Sequence, residues 1–531
     1  MDWIQSSDLL PYVLRRRSTE SPDTVYLRHV DGGSMTYRQS YEASLLWADA
    51  LRRLGVAPGE NVVSMLPNGF DTYHAWLGMA WLGAVEVSLN TAYQGRLLRY
   101  TISKSRARVM IVSERYVARL AEIADELDSL ETVVVLGEPT EVPALRQRVI
   151  SEREFFDDAA PVAPPPSHEP RPWDVSCIIW TSGTTGPSKG VMVPWAEWYR
   201  FCEVITSVTG GDDSIYHFMP PFHVGGKIIL YAALLEGSVI VMRETFSSSN
   251  FWSDVRKHEV THTILQGPMV RMLMSAPESD SDRDNSLRTM GCAPLPVDLF
   301  EFMERFGMRG ANTYYGMTEI GLPFASPGFD LTGTESCGKL RDGYEVRIVD
   351  EHDYPVEQGD VGELVVRADH PWTMNAGYFG MAEETAHSWR NGWFHTGDGF
   401  RVDEDGNFYF VDRLKDAIRR RGENISSFEV EGYVNEHPEV VESAAVAIRS
   451  ELGEDDVKVF VALAEGSALG YAELADWLAA RMPRFMIPRY IEFVDGLPKT
   501  DATLRTKKAD LRARGLNENT WDGQGGNGNT R

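Results

Sequence analysis

The sequence predicts an α/β protein, with a large N-terminal domain of stacked αβ layers plus a β unit, followed by a small α+β C-terminal domain. Short β-branched runs alternate with segments of helical periodicity between Tyr37 and Leu136, the pattern of parallel strands covered by helices on both faces. A chain of 531 residues exceeds one compact core. The charge pattern changes near Asp412: Arg413, Lys415, Arg419, Arg420 and Arg421 stand against a single acid, Asp416, in a chain of formal net charge −26. A boundary is placed there, giving domains 1–412 and 413–522. The Gly/Asn-rich tail 523–531 is expected to be disordered.

The elements follow in order. A short amphipathic helix, Leu9 to Arg17, precedes a helix from Tyr37 to Leu54 that stops at Gly55, Pro58 and Gly59. Strands are expected at Asn61–Leu66, Ala84–Leu89, Val109–Val112 and Thr132–Leu136, and helices at Thr72–Leu82, Arg96–Ser105 and Val117–Leu130. The Pro-rich segment Pro161–Pro172 connects these to a strand, Val175–Trp180, and then to Val191–Val204, helical after Pro194. Further strands are expected at Ser238–Met242 and Thr263–Leu265 around a helix at Phe251–His258. Val346–Asp350 and Glu363–Arg367 form the smaller β unit. In the last domain, strands Ala444–Ala447, Val457–Ala464 and Arg489–Val494 alternate with helices Ala472–Arg481 and Lys507–Arg514.

The acidic balance, with a sequence pI near 4.9, disfavours nucleic acid and anionic membrane as partners. Four cysteines, Cys177, Cys202, Cys292 and Cys337, show no metal spacing and read as free thiols in a reducing compartment. With no membrane span and no leader pattern at Met1-Asp-Trp-Ile, the expected location is cytoplasmic. Homodimer formation is left open.

The stretch Thr181-Ser-Gly-Thr-Thr-Gly-Pro-Ser-Lys189-Gly190 has the chemistry of a phosphate cradle. Gly183 and Gly186 free the backbone to turn its amides toward an anion. Thr181, Ser182, Thr184 and Thr185 add hydroxyl donors, and Lys189 adds a positive charge. A strand, this loop and a following helix are expected to form the cradle together. A Walker loop requires glycine five residues after its first, and Ser188 stands there, so this is no P-loop.

The loop resembles the signature of the adenylate-forming superfamily, which includes acyl-CoA synthetases, and further motifs extend the resemblance from about Met35 to Arg512. It implies an ATP-dependent, AMP-forming ligase that adenylates a small-molecule acid and passes it to CoA. ATP and CoA are then substrates, Mg²⁺ the metal, and the C-terminal domain mobile between half-reactions. Tyr315-Gly316-Met317-Thr318-Glu319 resembles the family's Y-G-x-T-E, which implies phosphate contact for Thr318 and metal ligation for Glu319. Gly392-Trp-Phe-His-Thr-Gly-Asp398 resembles G-W-x-x-T-G-D, whose aspartate accepts from the ribose hydroxyls. Arg413 resembles the second ribose contact, although Asp412 replaces the family's usual glycine, and Lys415 falls at the hinge position. Gly291-Cys-Ala293-Pro294-Leu295 resembles the turn beside adenine and the acyl pocket. Pro220-Pro-Phe-His223 resembles the motif whose histidine lines the carboxylate end of that pocket. Met219, Phe222, Tyr314 and Met317 are left between pocket wall and core packing. Gly422, in Arg421-Gly-Glu-Asn-Ile-Ser, resembles the position where backbone approaches the pantetheine arm. That wording, with Val193-Pro-Trp195, resembles carnitine- and crotonobetaine-CoA ligase-like members.

The chain departs from the family at Leu497-Pro-Lys499-Thr500. The family's later adenylation lysine aligns with Arg505, a planar fork in place of a compact ammonium, and Lys507 and Lys508 stand nearby as other cations. Three readings stay open: Arg505 does the lysine's work; nitrite is adenylated and passed to an aryl amine, as in diazotase-type relatives; or adenylation is lost and the protein is a nucleotide-binding regulator.

Overall fold

Two open sheets of seven strands organise most of the chain. One runs Gly310–Asn312, Thr289–Cys292, His262–Leu265, Ser214–His217, Val239–Met242, Val25–His29, Ser34–Thr36. The other runs Arg148–Ser151, Thr132–Leu136, Val109–Ser113, Asn61–Met65, Val85–Ser88, Val175–Thr181, Lys189–Pro194. In each sheet neighbours are parallel except at the last strand, which is antiparallel. The computed structural model describes residues 3–138, 144–162, 169–181, 188–331, 333–413, 418–420, 423–449, 455–484, 486–500 and 506–523. They group into two compact units, Met1–Glu345 with Val366–Phe394, and Val346–Val365 with His395–Arg531.

In the first unit the strand runs are buried on both faces, as parallel strands between helices must be. Helix Tyr37–Arg53 starts on a reciprocal cap between Thr36 and Gln39. Helices Phe70–Leu82 and Val224–Glu236 are buried almost all round, which suits a layer packed on two sides. Tyr73, on the former helix, reaches His217 of one sheet at 2.6 Å. Lys227, on the latter, reaches Glu86 of the other at 2.5 Å, with its ammonium 4.2 Å from the Trp76 ring centre. A fully buried ion pair therefore stitches the two sheets together.

The helix expected after Pro194 is Trp195–Thr206, while Val191–Pro194 before it belongs to a strand, Lys189–Pro194, that pairs antiparallel with Val175–Thr181. Proline ends the strand because it cannot donate to a ladder and opens the helix by its fixed φ. Val117–Leu130 is not one helix but a short helix, Glu114–Val117, and separate 3₁₀ turns at Ala118–Leu120 and Ala124–Glu126. Its apolar residues are buried as the periodicity implied, yet the turns close through i to i+3 bonds such as Ile123 to Leu120 and Leu127 to Ala124, and 3₁₀ runs stay short.

The second unit contains most of a four-stranded sheet, Tyr344–Val349, Gly362–Ala368, Phe394–Val402 and Phe408–Arg413. A second sheet orders Val440–Arg449, Asp455–Leu463, Tyr490–Val494 and Trp521–Asp522 against helices Ser427–Asn435 and Tyr471–Ala479. Its core holds Lys458, whose ammonium donates to Glu492, the Gly515 carbonyl and Thr520 at 2.6, 2.7 and 2.8 Å. The expected tail, apart from Gly523, lies outside the described residues.

Candidate active site

In open α/β sheets ligands bind beyond the carboxyl ends of parallel strands. Three motifs follow such ends in one sheet: Met219–His223 after Ser214–His217, Ala293-Pro294 after Thr289–Cys292, and Tyr314–Glu319 after Gly310–Asn312. The Thr181 loop follows a parallel strand of the other sheet. Thr181 and Glu319 come together: the Thr181 hydroxyl lies 3.4 Å from Glu319 Oε1, and the Tyr378 hydroxyl donates to the same oxygen at 3.2 Å. Glu319 is 5% exposed, and its carbonyl accepts from the Asn375 amide and side chain at 3.2 and 2.6 Å. The anion is thus held in place through its backbone. Burial and the nearby Glu319 charge push the Tyr378 hydroxyl well above the usual tyrosine range, so it remains a donor at neutral pH.

The loop closes an antiparallel hairpin, with Thr181 opposite Lys189. This corrects the expected strand–loop–helix cradle. The first amides of the helix at Trp195 are taken by the carbonyls of Asp174 and Pro172, so they do not serve as anion donors. Ser182, Gly183, Thr184, Thr185 and Gly186 lie outside the described residues. Lys189 sits with its ammonium 3.0 Å from Glu384 and 4.9 Å from the Tyr378 ring centre.

Gly316 admits no side chain, since a Cβ would stand 2.0 Å from the Gly321 carbonyl across the Tyr314–Met317 hairpin. Thr318 is buried beside Glu319, and Tyr315 packs on Phe324 with ring centres 5.9 Å apart. A Cβ on Gly291 would meet Tyr314 and Asn312 at 3.4 Å, so glycine brings these neighbours close to the strand. Ala293 is half-buried, Pro294 exposed, and Met317 and Tyr314 half-buried. Burial raises the Tyr314 hydroxyl.

His223 caps the helix Val224–Glu236, its Nδ1 accepting from the Gly225 amide at 3.2 Å. A Cβ on Gly225 would touch both His223 Nδ1 and Met219 Cε, at 3.5 and 3.8 Å, which places these two side chains on one side of the helix start. Phe222 and Met219 are buried. The core histidine of this region is His217: it is sealed against Tyr73, and burial pushes it down to about 4.

In the second unit, Asp398 and Arg413 are opposite each other in the ladder of strands Phe394–Val402 and Phe408–Arg413, and the guanidinium Nε lies 2.9 Å from Asp398 Oδ1. Asp412 has a local reason to replace glycine. One carboxylate oxygen accepts from the Arg413 amide at 2.7 Å. The other accepts from the Ser427 amide at 2.7 Å and from its hydroxyl, at the start of helix Ser427–Asn435, where negative charge is favoured. Lys508 donates to Ser427 and lies 2.7 Å from Glu431. Lys507 is exposed and precedes helix Lys508–Ala513. Lys499 and Thr506 pair across an isolated bridge; Arg505, Lys415 and Gly422 lie outside the described residues.

Sequence reasoning missed Tyr378, Glu384, Asn375 and Glu363. The only local signal at Tyr378 was an aromatic beside a glycine.

The fold is that of an α/β protein in which Thr181, at the end of a buried strand, meets the buried carboxylate of Glu319. Residues 14–379 match the model of the family "AMP-binding enzyme", and residues 429–503 match that of the "AMP-binding enzyme C-terminal domain". The chain belongs to the AMP-binding enzyme family. Among its relatives, the crotonobetaine/carnitine–CoA ligase of Citrobacter koseri is 33% identical over 463 residues, spanning 84% of this chain and 87% of the relative. The corresponding ligase of Salmonella typhimurium is 30% identical over 469 residues, spanning 85% and 88%. Of solved structures, the anthranilate CoA ligase AuaEII with anthranoyl-AMP superposes with a TM-score of 0.85 at 24% identity, over 96% of this chain and 99% of that one. ATP-bound MatB from Rhodopseudomonas palustris gives 0.82 at 22%, over 95% and 99%.

Proposed function

We propose that the protein is an ATP-dependent, AMP-forming ligase that adenylates a carboxylic acid and transfers the acyl group to CoA. The observation that carries this reading is the meeting of Thr181, first residue of the phosphate loop, with the buried carboxylate of Glu319. Family membership and relatives named as CoA ligases support it.

In the first half-reaction the acid's carboxylate attacks the α-phosphorus of ATP and pyrophosphate leaves. In the second, the CoA thiol attacks the acyl carbon and AMP leaves. Two anions must be brought together, so the protein's task is orientation and charge compensation. Amides and hydroxyls of 181–186 hold phosphate oxygens, with Lys189 and Thr318 beside them. Magnesium prefers hard oxygen ligands, and a buried carboxylate with a hydroxyl at its side fits that demand, so Glu319 would hold the ion, which when bound would offset phosphate charge. Asp398 accepts from the ribose hydroxyls and Arg413 supports it. Gly291, Ala293, Pro294, Tyr315 and Gly316 shape the adenine side. His223, with Met219, Phe222, Tyr314 and Met317, lines the acid pocket. Arg505 supplies the adenylation cation, while Lys508 is already engaged with Glu431. Gly422 lets the pantetheine arm approach, and Lys415 is the hinge.

A domain division of 1–412 and 413–522 belongs to this reading; the two family matches end at 379 and begin at 429, on either side of it. So does a cytoplasmic setting, in keeping with four free cysteines. No helix among the described residues is long and apolar enough to cross a membrane.

Pyrophosphate release with a panel of acids tests the reading, with betaine-type acids first because the relatives are named for them. Release that depends on an acid, with thioester formed on adding CoA, is expected. Release only with nitrite plus an aryl amine, or no release with any acid, would overturn it. Arg505→Ala is expected to slow adenylate formation much more than thioester formation from supplied acyl-AMP.

A further inference from the structure

Asp398 is held by neighbours that do not belong to its motif. Glu363, on strand Gly362–Ala368, uses both carboxylate oxygens on the adjacent strand: Oε2 accepts from His395 Nδ1 at 2.9 Å and Oε1 accepts from the Gly397 amide at 2.9 Å. The same strand accepts the Thr396 hydroxyl at the Leu364 carbonyl, 2.7 Å away, and Thr396 Oγ1 in turn accepts the Asp398 amide at 3.1 Å. Gly397 takes φ +71°, a left-handed turn that residues with a side chain adopt reluctantly. His395 is 3% exposed in its side chain, and its Nε2 faces Asp353 at 3.9 Å.

Every residue from His395 to Asp398 is thus tied down, and Glu363 makes two of the ties. The carboxylate that tightens this turn touches neither Asp398 nor Arg413 in the contacts above. Its effect is on where the Asp398 backbone leaves the strand, and so on where a short two-oxygen acceptor points. A diol is recognised only if both hydroxyls meet that acceptor together, and displacements on the order of 1 Å are enough to lose such fits.

We infer that Glu363, through His395 and the Gly397 amide, is a positioning residue that aims Asp398 at the ribose diol and thereby sets the preference for ATP over its deoxy analogues. The inference rests on the ribose reading of Asp398.

The test is calorimetric binding of the magnesium complexes of ATP, 2′-deoxy-ATP and 3′-deoxy-ATP to the full chain, which needs no acid. The ratio of deoxy to ribo Kd is the readout, with thermal melting measured in parallel. Asp398→Asn is expected to collapse the ratio toward one. Glu363→Ala is expected to lower it about tenfold, the scale of one lost charge-assisted hydrogen bond. Glu363→Gln, which keeps a carbonyl acceptor for Gly397, is expected to lower it less, and His395→Ala in the same direction. His395→Ala also decides the matter if Glu363→Ala does not fold. If Asp398→Asn collapses the ratio while Glu363→Ala and His395→Ala weaken all three nucleotides equally, Glu363 is merely structural and the inference is overturned. If Asp398→Asn leaves the ratio intact, the ribose reading falls and the inference with it.

Discussion

Two buried carboxylates, one in each compact unit, are prepared in different ways. Glu319 receives neutral hydroxyls from Thr181 and Tyr378, whereas Asp398 faces a guanidinium. Burying a charge is costly unless it is met by donors. Hydroxyls stabilise a carboxylate without cancelling its charge, which fits the cation-holding role proposed for Glu319. The Arg413 contact compensates the Asp398 charge within the pair. Both are aimed through the backbone, Glu319 by Asn375 and Asp398 by the Glu363 network.

The units also differ in how they bury a lysine, and this sets the largest effect expected of a single substitution. Lys227→Met leaves Glu86 fully buried, with the Ser64 hydroxyl at 2.7 Å; a loss of about 3–5 kcal/mol is expected. Lys458→Met leaves Glu492 with Asn517 and Thr520 at 3.0 and 3.1 Å and should cost less. Denaturant melts of the two variants check the order, and equal losses would break the comparison. Next, Glu319→Gln should lower acid-dependent pyrophosphate exchange by about 10²–10³-fold, the scale of a preorganised electrostatic contact. Asp398→Asn should lower it less and raise KM for ATP; the reverse order would contradict the roles assigned to the two groups.

Acid should act on the first unit. Burial pushes His74, His217 and His262 down to about 4. Between that value and the unfolded value of about 6.5 the unfolded chain binds more protons, so stability present above 6.5 is lost as pH falls toward 4, by about 1.4 kcal/mol per histidine per pH unit. Melting followed by amide exchange at pH 7 and pH 5 should show destabilisation concentrated around these three residues. The smallest effect is Tyr378→Phe, which removes one donor to Glu319 and should slow exchange by about threefold to tenfold, consistent with about 0.5–1.5 kcal/mol, without changing the melting point.

How much was legible follows from distance along the chain. Thr181 and Glu319 stood out because their partners in chemistry sit in the same few residues, and the buried strand runs because burial on both faces demands β-branched residues without a break. Val191–Pro194 was not assigned to a strand because its pairing partner, not its composition, makes it one. Tyr378 reaches Glu319 across 59 residues, and Glu363 reaches His395 across 32; neither contact leaves a periodic or compositional trace. Lys227 and Glu86, 141 residues apart, look like an ordinary surface lysine and glutamate until two sheets close over them.

From its residues alone this protein determined most of its strands and helices and the motifs that place it among AMP-binding enzymes, because those are local demands of propensity, burial and side-chain chemistry within a few adjacent residues. Tertiary structure decided which donors surround each carboxylate, that the strands Val175–Thr181 and Lys189–Pro194 pair antiparallel, and which contacts hold the backbone at Glu319 and Asp398. Those properties arise only when segments remote in sequence are brought within a few ångströms and shielded from water.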